Sequence, residues 1–133
     1  MDPKGSPTAA TAALDGFPPG ARVLFEETSG DAGVVLVDTG SAGTPYPYEV
    51  VCERRDGRWV EVAGANGPGW REPAGRGLVT FWGEVGTRED PVAVEYAGRT
   101  MRPAVADGYF FAVFWDVPEP GPTWPRIAGE AAG

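Results

Sequence analysis

"DGYFFAVFWDVP", residues 107–118, places the aromatic rings of Tyr109, Phe110, Phe111, Phe114 and Trp115 within seven positions. In a β-strand successive side chains point to opposite faces. The odd face then carries Tyr109, Phe111, Val113, Trp115 and Val117, and the even face Phe110, Ala112, Phe114 and Asp116. Both are mostly apolar, the pattern of a central strand with a second sheet over one face and a loop or tail over the other. The competing reading is an aromatic binding platform. It needs the second face open, and an exposed Phe110 and Phe114 pair is a liability unless a partner covers it. Aromatic clusters in small β domains are mostly core, so a buried strand is expected.

The rest of the chain is read around that strand. Its 133 residues, 42% hydrophobic, are enough for one core, and a chain of this size buries roughly two-thirds of its unfolded surface. Twenty glycines and fourteen prolines argue for short elements joined by turns. "RVLFEE" (22–27) and "GVVLVDT" (33–39) form a hairpin across a Gly-containing loop. "YEVVCERR" (48–55) and "RWVEVA" (58–63) form a second across Asp56-Gly57, a pair suited to the positive φ of a two-residue turn. The Gly- and Pro-rich 64–77 reads as a long surface loop. "LVTFWGEV" (78–85), "PVAVEYA" (91–97), "TMRPAV" (100–105), the strip at 109–117 and "WPRIA" (124–128) supply the remaining strands, with turns at Gly98-Arg99 and Asp107-Gly108.

The fold class expected is all-β, an antiparallel β-sandwich of immunoglobulin-like or similar type, with about seven to nine strands and little or no helix. Residues 1–19, rich in Ala, Pro, Ser and Thr, are expected to be a disordered tail, 20–129 a single domain, and 130–133 a frayed end.

Composition removes several chemistries. With no histidine, Ser-His-Asp and Cys-His catalysis and His-bearing zinc sites are absent. Cys52 stands alone, so no intrachain disulfide forms. On a strand it reads as a buried inert thiol. Glu26, Glu27, Glu49, Glu53, Glu61, Glu84 and Glu95 fall within strands and read as solvated carboxylates of outer faces. No cofactor motif, phosphate loop or calcium-loop spacing occurs, so no cofactor, no metal site and no catalytic residue is assigned. The net charge of -8 disfavours nucleic acid and anionic membrane surfaces and favours a basic protein partner. Neither a signal-peptide pattern nor an apolar run of the ~18 residues that span a bilayer is present, so a cytoplasmic location is expected.

Candidate binding residues lie in the loops. Tyr46 and Tyr48 flank Pro47, Trp70 precedes Arg71, and Trp124 lies between Thr123 and Pro125. Tyr, Trp and Arg on Gly-rich loops match the composition of recognition surfaces. The plainer alternative is that Trp70 and Trp124 plug the ends of the sandwich. Trp59 and Trp82, on mixed strand faces, read as partly exposed. The reading is a non-catalytic module recognising a protein partner through Tyr46, Tyr48, Trp70, Arg71 and Trp124. Carbohydrate binding through the same aromatics is the alternative, and a hydrolase with a carboxylate pair is the third.

"ARVLFEETSGDAGVVLVDTG", "PYPYEVVCERRDGRWVE", "NGPGW" and "VADGYFFAVFWDVP" resemble segments of small uncharacterised all-β proteins of high-GC actinobacteria. "YAGRTMRPAVADGYFFAVFWD" is also similar to the β-rich domains of some actinobacterial anti-sigma-factor-like proteins. Neither resemblance implies an activity, a ligand or site residues. The absence of an anchor and of a sigma-binding helical segment separates this chain from the second group.

Overall fold

The computed structural model describes residues 7–40, 46–65, 69–85, 92–118 and 124–128. The expected frayed end at 130–133 and the first six residues of the expected tail lie outside them. Four long strands open the chain: β1 (Arg22–Ser29), β2 (Ala32–Asp38), β3 (Pro47–Arg55) and β4 (Arg58–Ala65). They pair in sequence order as an antiparallel meander. Between β3 and β4, Asp56 and Gly57 have φ of 53° and 78°, the two left-handed residues that a tight hairpin turn requires.

The remaining strands are shorter: β5 (Gly69–Arg71), β6 (Leu78–Glu84), β7 (Val94–Tyr96), β8 (Arg99–Met101), β9 (Ala104–Ala106), β10 (Tyr109–Trp115) and β11 (Arg126–Ile127). A second sheet runs β5-β6-β10-β9, and a small third one runs β11-β7-β8. The chain is thus all-β, antiparallel and sandwich-like, with eleven strands among the described residues where seven to nine were expected. Two local misreadings account for part of the surplus. The 64–77 segment holds β5 and one 3-10 turn at Pro73–Gly75, and the 100–105 run is two strands divided at Arg102-Pro103. Proline has no amide hydrogen for the ladder, so the strand stops there.

β10 settles the opening question. Residues 109 to 114 are all buried. Tyr109, Phe111 and Val113 pack with Leu24, Val34, Leu36 and Val51 of the first sheet, while Phe110, Ala112 and Phe114 pack with Val94 and Tyr96 of the third. Phe114 meets Tyr96 edge-on, with ring centroids 5.4 Å apart. The second sheet is therefore the middle layer, and each face of its central strand has its own sheet to bury against.

The expected tail needs correction. Residues 9–14 form a helix, α1 (Ala9–Leu14), with Thr8 as its N-cap: the Thr8 hydroxyl accepts the Thr11 amide at 3.1 Å. Six residues make a marginal helix in water, so its stability must come from docking. Ala9, Ala12 and Ala13, at i, i+3 and i+4, lie on the outer face of the first sheet against Val35, Val37, Val50, Cys52 and Trp59. Two bonds fix it further: the Ala10 amide donates to Glu26 Oε2 at 2.6 Å, and the Cys52 thiol to the Ala9 carbonyl at 3.8 Å. Trp59, expected to be partly exposed, is 7% exposed because α1 covers it. β2, enclosed between α1 and the second sheet, is buried at all seven positions.

At one crossing the backbones touch. A Cβ on Gly77, before β6, would lie 1.7 Å from the Val117 carbonyl oxygen, just beyond β10. The Val117 amide donates to the Gly77 carbonyl at 3.2 Å, so only glycine fits this contact.

Candidate functional site

The five residues selected from sequence do not form one surface. Tyr48 is half-buried on the α1 side of the first sheet, its ring over Gly64 and edge-on to Phe17 at 5.7 Å. Trp70 is half-buried between the second and third sheets, and its indole Nε1 donates to the Val117 carbonyl at 2.9 Å. That is a plug anchored by its polar end. Arg71, next in sequence, points to the opposite face of β5, into the space between the first and second sheets. Only Tyr46 (54% exposed) and Trp124 (45%) face solvent. Tyr46 leads into β3 of the first sheet and Trp124 stands beside the third. Trp82 is half-buried, as expected, with its ring edge-on to Tyr109.

Arg71 has a different partner from the one its loop position suggests. Its guanidinium holds Glu49 Oε1, an oxygen that also accepts the Thr80 hydroxyl, and Arg71 Nη2 lies 3.1 Å from Thr80 Oγ1. Glu49 is 0% exposed. It shares the inner face of β3 with Val51, so a residue expected to be a solvated carboxylate is instead the centre of an ion pair joining two sheets. Burial pushes its carboxyl above the usual range, and Arg71 and Thr80 offset only part of that. Glu49 Oε2 and Arg71 Nε have no hydrogen-bond partner among the described residues, so the pair is incompletely satisfied.

Two other groups bear on chemistry. Cys52 is fully buried, and burial, with Glu61 and Glu26 nearby, pushes its thiol up to about 12, so it stays protonated at neutral pH. Among the described residues no three His, Cys, Asp or Glu side chains are grouped to hold a metal ion. No helix among them is long and apolar enough to cross a membrane.

A concave surface lies on the third sheet. A cavity of about 470 Å³ is walled by Glu95, Arg99, Thr100, Trp124, Arg126 and the Ala97-Gly98 turn. Ala97 and Gly98 have φ of 51° and 76°, which closes the β7–β8 hairpin tightly and sets Arg99 at its base. Register places Arg126 opposite Glu95, and their side chains pair at 3.1 Å. Arg99 Nη1 donates to the Trp115 carbonyl at 3.0 Å, which aims the guanidinium without neutralising it. The indole of Trp124 is the large exposed apolar group of this cavity.

Sequence reasoning found Trp124 and missed Glu95, Arg99, Thr100 and Arg126. One signal was present: Trp124 and Arg126 are two positions apart, the spacing that puts both on one face of an extended segment. The chain matches no protein-family model, no curated protein and no solved structure.

Proposed function

We propose that this protein is a non-catalytic binding module that recognises a partner protein through the Trp124 groove. The observation that carries the reading is an exposed indole standing over a cavity whose walls hold two guanidiniums. Tryptophan and arginine dominate the energetics of protein recognition, and exposed aromatic surface of this kind gains most when a partner covers it. The other four residues of the original set lie in other layers or, for Tyr46, beside a different sheet. The recognition surface is accordingly smaller than the loop set suggested.

Carbohydrate binding is the second reading, supported by the same indole beside the Glu95–Arg126 pair, a ring for stacking with hydrogen-bonding groups nearby. The two-carboxylate hydrolase gains no support from the groove, whose one lining carboxylate, Glu95, is held by Arg126.

A photo-crosslinking residue at Thr100, in the full chain expressed in cells, tests the reading. A partner protein captured at Thr100 should be lost in Trp124→Ala and retained in Tyr46→Ala. Capture that persists in Trp124→Ala would refute the groove as the recognition surface. Retention of the protein by a glycan array through Trp124, with no protein captured, would favour the second reading.

A further inference from the structure

Charge is unevenly shared between the layers. The chain carries 19 carboxylates against 11 basic side chains. Yet the groove on the third sheet is walled, among the described residues, by Arg99 and Arg126 against the single carboxylate of Glu95. The pairing of those arginines is also unusual. Arg22, Arg54, Arg55, Arg71, Arg76 and Arg126 each hold a carboxylate. Arg99, exposed in the wall of the groove, makes no ion pair among the described residues. Arg99 helps to lower the Asp116 carboxyl, but Arg76 holds both oxygens of that carboxylate, at 2.7 and 3.0 Å.

From this we infer that the Trp124 groove takes an acidic segment of the partner, a stretch of chain that sets a Glu or Asp carboxylate on Arg99 and packs apolar surface on the Trp124 indole. The inference rests on the binding reading above and gives it a ligand class. It also reverses the simplest reading of net charge. A chain at -8 favours a basic partner on average, but the described walls of the groove carry two arginines to one carboxylate. Guanidiniums present a planar fork to carboxylates, and an indole beside them supplies the apolar half of the contact. The acidic remainder of the surface repels anionic segments that approach anywhere else, which directs them to this sheet.

The experiment uses the full chain and three probes: a blocked, tryptophan-free peptide of alternating Glu and Leu, its Lys and Leu counterpart, and a neutral oligosaccharide. The readout is acrylamide quenching of Trp124, isolated by difference from Trp124→Phe. The Glu peptide should protect Trp124 saturably, less so at high salt, and about threefold more weakly in Arg99→Gln, the loss expected for one solvent-exposed charge contact. Protection by the Lys peptide or the oligosaccharide, and not by the Glu peptide, would overturn the acidic class while leaving the groove a binding site. Equal affinity in Arg99→Gln would overturn the role of that arginine. Protection that grows with protein concentration alone would assign the groove to a second copy of the chain. If no probe protects an indole that is open to acrylamide, the acidic class and the binding reading both fail.

Discussion

The first and third sheets cover opposite faces of the same middle sheet, and they are built to different standards. The first has strands of seven to nine residues, a helix over its outer face and a seven-residue strand with no exposed position. The third has strands of two or three residues, a cavity in its surface and one arginine, Arg99, without a carboxylate partner among the described residues. Long strands with both faces covered give cooperative stability, whereas short exposed ones are where a protein leaves room for a ligand. The difference places the deeply buried, long-stranded layer on one side of β10 and the short-stranded, open one on the other.

The sharpest way to break that division is at the ion pair between the first and second sheets. Glu49→Ala leaves Arg71 unpaired in a buried site, and a loss of about 3–5 kcal/mol is expected in urea denaturation. An unchanged midpoint would mean that Arg71 finds water and that the two sheets do not depend on the pair.

Next in size is the helix. Ala13→Leu places three additional carbons where Ala13 is 0% exposed, with an expected cost of about 1–3 kcal/mol from overpacking. The same variant should speed reaction of Cys52 with a thiol reagent, because α1 covers that residue. If the labelling rate stays unchanged while stability falls, the helix does not guard the first sheet.

The pH dependence is smaller and has a definite sign. Burial holds the Glu49 carboxyl above its ordinary value of 4.5, so the folded chain keeps that proton more tightly than the unfolded chain does. The contribution of Glu49 to stability is complete below about pH 4.5 and falls as pH rises through the folded value. Asp38 acts in the opposite direction. Burial would raise its carboxyl, but the Tyr46 and Gly40 amides and Arg22 outweigh burial and hold it below 3.8, so its contribution is lost as pH falls through the folded value. Denaturation midpoints of the wild type and Glu49→Gln between pH 5 and 8 separate the two effects. The decline with rising pH should flatten in the variant, and an identical slope would remove Glu49 as its source.

Smallest of all is the effect expected on the third sheet. Trp124→Ala should change stability by no more than about 0.5 kcal/mol, as for an ordinary surface substitution, while abolishing capture through the groove. A loss of several kcal/mol would make Trp124 a structural plug like Trp70.

Much of the fold was legible where pattern is local. The two-sided apolar strip of β10 and the Asp56-Gly57 turn both carry their meaning within a dozen residues. α1 was harder to see, because its buried face is three alanines and such small side chains scarcely register as a hydrophobic stripe, although Ala9, Ala12 and Ala13 have helical spacing and Thr8 precedes them. Missing the helix led to the misreading of Trp59, whose cover was taken for solvent. Glu49 and Arg71 are 22 residues apart on different sheets, and no local pattern links a carboxylate in one strand to a guanidinium in another. The groove is similar: it joins a hairpin at 95–100 to a strand at 126–127, and only the register of β7 with β11 brings Glu95 to Arg126.

The contact between Gly77 and Val117 has a consequence for finding relatives of this chain. Strand faces can drift as one aliphatic or aromatic residue replaces another, and exposed groove residues can change freely, but a backbone crossing with no room for a single carbon cannot be re-solved by neighbouring side chains. Divergent relatives should therefore retain a glycine just before the strand corresponding to β6 and an unobstructed carbonyl just after the one corresponding to β10. That pair of positions is a lineage marker that could outlast recognisable similarity everywhere else.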